Sequence, residues 1–235
     1  MSVKAIFFDL DGTLLPMDLN VFVGDYFKRI STKLAPFGYE PKQFIDTIWK
    51  GTAAMIKNSG DKTNEEVFWE TVISVYGEKV LEDKQYFDEF YENEFDKVKA
   101  VCGYDPKAKE SVLKIKDMGL KVAIATNPIF PQVATRLRMA WAGFEPEDFE
   151  FYTTYENINY CKPNPDYYIE VAKRIGVQPH ECLMVGNDVS DDMPAQNVGM
   201  KVFLLTDCLI NANNEDITQY PNGSFDDLIK YIKAL

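Results

Sequence analysis

Apolar residues recur along this chain with two different spacings, and the changeover between them divides it. Ala5-Ile6-Phe7-Phe8 is a continuous apolar run that stops abruptly at Asp9 and Asp11. Too short for a typical helix, it predicts a strand buried on both faces, as in a parallel sheet. From about Met17 to Lys99 no buried-strand pattern occurs. Apolar and aromatic residues instead fall three and four apart in segments near 18–35, 41–58, 64–76 and 84–98, the spacing of amphipathic helices. Phe22, Tyr26 and Ile30 make one stripe, and Phe44, Ile48 and Met55 another. Thr63-Asn64-Glu65-Glu66 predicts a helix start with acids in its first turn. Within the second segment, Trp49-Lys50-Gly51-Thr52 reads either as a glycine tolerated inside a helix or as a loop interrupting it.

Regular alternation begins at Asp105-Pro106, a helix start leading to Met118-Gly119. Leu120 to Ala125 is a second apolar strand, ending in Thr126-Asn127-Pro128. A helix near 131–141, a short strand from Phe151 to Thr154 and a helix near 166–175 follow, the last preceded by Cys161-Lys162-Pro163-Asn164-Pro165. Cys182 to Val185 is the next strand, broken by Gly186-Asn187-Asp188. A short helix reaching Gly199, a strand over Val202 to Leu205 and a closing helix over Phe225 to Ala234 complete the pattern. Strands alternating with helices predict a doubly wound, mostly parallel α/β sheet. The predicted organisation is an α/β core of residues 1–15 and 100–235, with an all-helical insertion over 16–99.

Parallel strands present their carboxyl ends at one edge, where ligands gather. Here those ends carry Asp9 and Asp11; Thr126 and Asn127; Lys162 just past a strand; and Asp188, Asp191 and Asp192. Two carboxylates at i and i+2 beside an apolar strand repel each other unless a cation sits between them. A hard divalent ion such as Mg²⁺, which prefers carboxylate oxygen, removes that cost. The set supplies a nucleophile, a proton donor, cations and hydrogen-bond donors for phosphoryl oxygens, and metal carboxylates, which together make a phosphoryl-transfer site.

Composition narrows the partners. A net charge of −12 over 235 residues argues against nucleic acid and anionic membranes, since both reward clustered Lys and Arg. No stretch approaches transmembrane length, and the short apolar run after Lys4 is broken by Asp9, so no signal peptide is expected. Cys102, Cys161, Cys182 and Cys208 have no CxxC spacing and predict free thiols in a reducing cytoplasm. His180 is the single histidine; it falls in a connector, which excludes His-rich zinc sites and predicts a surface residue.

Asp9-Leu10-Asp11-Gly12-Thr13 resembles the first motif of the haloacid dehalogenase superfamily of phosphotransferases, and the later stations match its other motifs in order. Thr126 corresponds to the second, Lys162 to the third, and Asp188 with Asp192 (or Asp191) after Gly186-Asn187 to the fourth. The resemblance covers about 1–15 and 100–235 and implies a Rossmann-like core; the insertion resembles, in kind and place, the cap domain that many members carry. If Trp49-Lys50-Gly51-Thr52 is a loop, it resembles one that reaches toward substrate in related caps.

The resemblance implies a role for each residue. Asp9 attacks phosphorus and becomes an aspartyl phosphate; Asp11 protonates the leaving oxygen and then activates water. Lys162, Thr126 and Asn127 hold phosphoryl oxygens. Mg²⁺ binds Asp9, Asp188 and the Asp11 backbone carbonyl, with Asp192 or Asp191 as support. The cap is expected to hinge near Leu15-Pro16 and Ala100 to Gly103. The expected activity is Mg²⁺-dependent hydrolysis of a small phosphorylated metabolite. The alternatives are a phosphomutase, a phosphonate hydrolase using a cap lysine such as Lys50, or a phospho-accepting signalling domain. Asp11 argues against dehalogenation, whose enzymes lack this acid.

Overall fold

In the computed structural model, which describes residues 2–235, the apolar runs assemble into a single sheet. Its strands are β1 (Ala5–Phe8), β2 (Lys121–Ile124), β3 (Phe151–Tyr152), β4 (Cys182–Gly186), β5 (Lys201–Leu205) and β6 (Asn222–Gly223), in the order β3-β2-β1-β4-β5-β6. Every pairing is parallel. β1 lies between β2 and β4 at the point where the strand order reverses, so the crevice outside its carboxyl end is the expected binding edge. β6 was not anticipated: two residues, Asn222 and Gly223, carry no apolar run to betray them.

Burial on both faces explains the unbroken hydrophobicity of these strands. On β1, Ile6 and Phe8 join one apolar cluster while Ala5 and Phe7 join another. The same alternation places Val122 and Ile124 in the first cluster and Ala123 in the second.

Between β1 and β2 the chain forms α1 (Leu19–Leu34), α2 (Pro41–Ile56), α3 (Asn64–Tyr76) and α4 (Lys84–Asn93), then a 3₁₀ segment over Phe95–Val101. The remaining helices are α5 (Pro106–Asp117), α6 (Gln132–Trp141), α7 (Pro165–Arg174) and α8 (Phe225–Lys233). Several begin where the sequence promised. Thr63 and Glu66 form a reciprocal capping box on α3, and Asp105 caps α5 by accepting the Lys107 amide, each satisfying amides that lack intrahelical partners. α2 runs unbroken through Trp49-Lys50-Gly51-Thr52, so the loop alternative is corrected. A Cβ on Gly51 would lie 2.6 Å from Cδ2 of Phe68; the glycine permits close packing of α2 on α3 rather than ending the helix.

The insertion meets the core at several places, including Phe22 and Tyr26 against the Phe130 ring at 6.1 and 5.3 Å between centroids. Phe95 stacks on Trp141 with ring centroids 5.3 Å apart, and the Trp141 indole donates to Asp96 at 2.7 Å. Asp96 stays exposed while it accepts this bond. At the other end the fully buried Asn64 donates to the carbonyls of Pro128 and Tyr160, at 3.2 and 3.3 Å. The two connecting segments run antiparallel, with Met17 bridged to Cys102 and the Gly103 amide donating to Pro16 at 2.7 Å.

Candidate active site

The site is built from loops that leave the strands at one edge. Just past β1 the chain turns sharply at Gly12, whose φ of 84° belongs to the left-handed region that glycine enters without strain. A Cβ there would sit 2.3 Å from Nδ2 of Asn187, so the β1 and β4 loops touch because this residue has no side chain. Thr13 joins them, its hydroxyl donating to Asn187 at 2.9 Å and lying 3.3 Å from Asp9.

Lys162 is the centre of the floor. Its side chain is 2% exposed, and its Nζ donates to Asp9 at 2.8 Å and to Asp192 at 2.7 Å. Burial alone would depress the ammonium pKa, but the charges of Asp192 and Asp9 hold it well above its ordinary value. Asp192 is fully buried, and its other oxygen accepts the Asp188 amide at 2.9 Å. Gly186 makes room for it: a Cβ there would fall 2.0 Å from Oδ2 of Asp192. Burial, only partly offset by Lys162, pushes the Asp192 carboxyl up.

The adjacent Asp191 points elsewhere, accepting from Asn127 Nδ2 at 3.2 Å. Asn127 in turn accepts the Lys162 amide at 3.2 Å, so its side chain ties three loops together. Tyr167 donates to the Thr126 carbonyl at 2.7 Å and Tyr168 to the Asp191 carbonyl, so α7 fixes the position of both loops.

Asp11 has a partner that sequence reasoning missed. Its Oδ2 forms an ion pair with Arg138, a fully enclosed α6 residue whose guanidinium also lies 4.5 Å from the Phe130 ring centroid. The signal was present: Ala134, Arg138 and Trp141 occupy one buried helical face, where an arginine needs an anionic partner. Oδ1 of Asp11 is buried without a partner. Burial raises the Asp11 carboxyl to about 6; Arg138 pulls against that rise and Asp9 adds to it.

Asp9, Asp11, Thr126, Asn127, Lys162, Asp188, Asp191 and Asp192 all line one cavity of about 240 Å³ between the strand edge and the inserted helices. His180 is exposed in its connector and lies outside the site. All four cysteines are free thiols.

Among the described residues, no three Asp, Glu, His or Cys side chains are yet gathered at metal-ligand spacing. The donor set nonetheless fits a hard divalent ion. Six carboxylates, Asp9, Asp11, Asp88, Asp188, Asp191 and Asp192, line the cavity, while two buried cations, Lys162 and Arg138, pair with only Asp9, Asp11 and Asp192. Asp188 is pushed up by burial and then by Asp191, which marks the surplus negative charge that a divalent cation would relieve.

Residues 3–199 match the haloacid dehalogenase-like hydrolase family. The chain belongs to that family. It is 23% identical over 202 residues to the pyrophosphatase PpaX of Bacillus cereus (strain AH820), covering 86% of this chain and 82% of that one. It is 33% identical to YhcW of Bacillus subtilis (strain 168) over 90 residues, 38% of this chain and 40% of that protein. Its fold is similar to that of a HAD phosphatase from Thermococcus onnurineus, with a TM-score of 0.59, 19% identity and 98% of both chains covered. No helix among the described residues is long and apolar enough to cross a membrane.

Proposed function

We propose that this haloacid dehalogenase-like hydrolase is a Mg²⁺-dependent phosphatase that hydrolyses a small phosphorylated metabolite through an aspartyl-phosphate intermediate. The observation that carries the reading is the convergence of Asp9, Asp11 and Lys162 on one cavity floor, with Lys162 Nζ 2.8 Å from Asp9.

In this reading an Asp9 oxygen attacks phosphorus, the bond to the leaving oxygen breaks, and Asp11 supplies the proton that oxygen needs. Oδ1 of Asp11 is the atom suited to carry that proton, because Oδ2 is held by Arg138. Water then attacks the acyl phosphate while Asp11 takes up its proton, and Asp9 returns as carboxylate with release of inorganic phosphate. Lys162, Thr126 and Asn127 steady the phosphoryl oxygens as charge redistributes on them. Asp9, Asp188 and the Asp11 backbone carbonyl would hold Mg²⁺, with Asp192 or Asp191 behind them. The ion, when bound, neutralises phosphoryl charge and orients the group for in-line attack.

The helices over 16–99 act as a cap domain on a core of 1–15 and 100–235, hinged where Pro16 and Gly103 meet. Closing the cap excludes water from the first step. Free thiols support residence in a reducing compartment such as the cytoplasm.

Phosphate release by wild type and Asp9→Asn tests the reading. Asp9→Asn keeps the shape and removes the attacking charge, so turnover should fall at least about 1000-fold with an unchanged circular dichroism spectrum. Activity near wild type in a verified Asp9→Asn preparation would refute the mechanism.

A further inference from the structure

The cavity is divided by chemistry as well as by chain segment. Its floor holds five of the six lining carboxylates, whereas its walls are apolar and rich in rings: Tyr26, Phe27, Phe68, Trp69 and Tyr91 from the insertion and Phe130 from the core, among aliphatic side chains such as Ile30 and Ile48. Lys162 is the single cation among the described lining residues, and it is engaged by Asp9 and Asp192. Arg138 is absent from the lining and is taken up by Asp11. The charged residue that the insertion contributes is Asp88, which is exposed. The hydroxyls of Tyr26 and Tyr91 satisfy each other at 2.8 Å.

We infer that the phosphomonoester cleaved here carries an uncharged aromatic alcohol as its leaving group. The inference rests on the phosphatase reading and names the substrate class of that site. A second phosphate or a carboxylate in the leaving group would meet Asp88 and aromatic faces, with no cation to compensate its desolvation. A sugar would bring several hydroxyls to walls that offer few partners, and each buried, unpaired hydroxyl weakens binding. A flat ring is met by ring faces and edges in the arrangement aromatic groups favour.

Size and polarity refine the class. About 240 Å³ lies below the roughly 300–1,000 Å³ usual for small-molecule sites, which suits one ring and a phosphoryl group better than a nucleotide. Trp69 adds one polar cue. Its indole N–H is buried and has Tyr155 as its neighbouring hydroxyl, yet it makes no bond of hydrogen-bond geometry. A single acceptor on the ring portion would answer it.

The experiment compares kcat/KM with Mg²⁺ for benzyl phosphate, ethyl phosphate, glycerol 3-phosphate, glucose 6-phosphate, phosphoglycolate and pyrophosphate, with acetyl phosphate as a small reactive control. Benzyl phosphate is chosen over aryl phosphates because its leaving alcohol is about as basic as a sugar hydroxyl, so preference reports binding rather than reactivity. Benzyl phosphate should exceed each of the other esters and pyrophosphate by about tenfold or more. Benzyl alcohol should inhibit competitively where glycerol does not, a measurement on wild type that needs no folded variant. Trp69→Ala should lower kcat/KM for benzyl phosphate by a larger factor than for acetyl phosphate. Faster hydrolysis of glycerol 3-phosphate, glucose 6-phosphate, phosphoglycolate or pyrophosphate would overturn the aromatic class while leaving the phosphatase standing. Hydrolysis of nothing in the set, acetyl phosphate included, would overturn both.

Discussion

The two sides of the cavity are stabilised by opposite means. The floor crowds like charges and holds them with two buried cations, in a network where each group depends on its neighbours. The insertion side is an aromatic array, with Phe27 on Trp49 and Trp69 on Phe87 edge-to-face at 5.3 Å, where no single contact is indispensable. Changes to the floor should therefore alter rate for every substrate and stability together. Changes to the walls should alter which substrate is preferred.

The largest effect is expected from Lys162→Met. It leaves Asp9 and Asp192 buried without their shared cation, and breaking such a pair typically costs about 3–5 kcal/mol. Protonation of Asp192, whose carboxyl is already pushed up, should keep the loss toward the lower figure. Turnover should drop by about three orders of magnitude on all esters, since in the proposed mechanism Lys162 also serves the phosphoryl oxygens. Chemical denaturation and phosphate release check both halves; a variant that loses rate on one ester alone would blur the distinction between floor and walls.

Arg138→Met should come next, and it separates the two chemical steps. Arg138 pulls the Asp11 pKa down against burial, so its removal lets that value climb above about 6 and keeps Asp11 protonated near neutral pH. In the proposed mechanism a protonated Asp11 can still act as the acid of the first step but not as the base of the second. Phospho-enzyme hydrolysis should therefore slow by about 100-fold, the lower range for general-base loss, and a burst of alcohol release should precede steady turnover. Equal slowing of both steps would show that Arg138 does not act through Asp11.

Arg138 also marks the limit of what the sequence disclosed. The floor was legible because strand ends gather in one place whenever strands are parallel, so Asp9, Thr126, Lys162 and Asp188 needed only the order of elements. Arg138 and Thr13 were not legible, because their partners lie 127 and 174 positions away and depend on the packing of α6 and of the Gly12 turn. That Lys162 pairs with Asp192 was likewise not legible, because it depends on the close approach of Asp192 to Gly186. The helices of the insertion were readable from periodicity, but periodicity reports which face is buried. It does not distinguish burial against another helix from burial against a cavity.

Gly51→Ala probes the wall. Alanine favours the helix by about 1 kcal/mol, whereas forcing a methyl against Phe68 costs about 1–3 kcal/mol. The net expectation is a destabilisation of about 0–2 kcal/mol, read from denaturant midpoints. Because Phe68 and Thr52 line the cavity, KM for an aromatic ester should rise while kcat holds within about twofold. A fall in kcat alone would transfer this residue's influence to the floor.

The floor's surplus charge should also show in stability. In the metal-free chain, Asp11, Asp188 and Asp192 have carboxyls raised above their ordinary value of 3.8, Asp11 to about 6. Between about pH 4 and 6 the folded chain therefore keeps protons that the unfolded chain has released, and stability must fall as pH rises through that window and slightly beyond. The surface carboxylates whose values are lowered, Glu40, Glu66, Glu110, Glu181, Asp216 and Asp227, act in the opposite sense, but only below their unfolded values, so above about pH 5 they do not mask it. Under the proposed function, Mg²⁺ binds the deprotonated floor and competes with those protons. At ten times its dissociation constant it should stabilise by about 1.4 kcal/mol at pH 8, a shift of roughly 3–5 °C for a chain of this size, and by much less at pH 5.5. Thermal melts with chelator or Mg²⁺ at both pH values supply the measurement, and Asp188→Ala should abolish the difference. A Mg²⁺ shift of equal size at pH 5.5 and 8 would place the ion away from these carboxylates and leave the floor's charge balanced by protons alone.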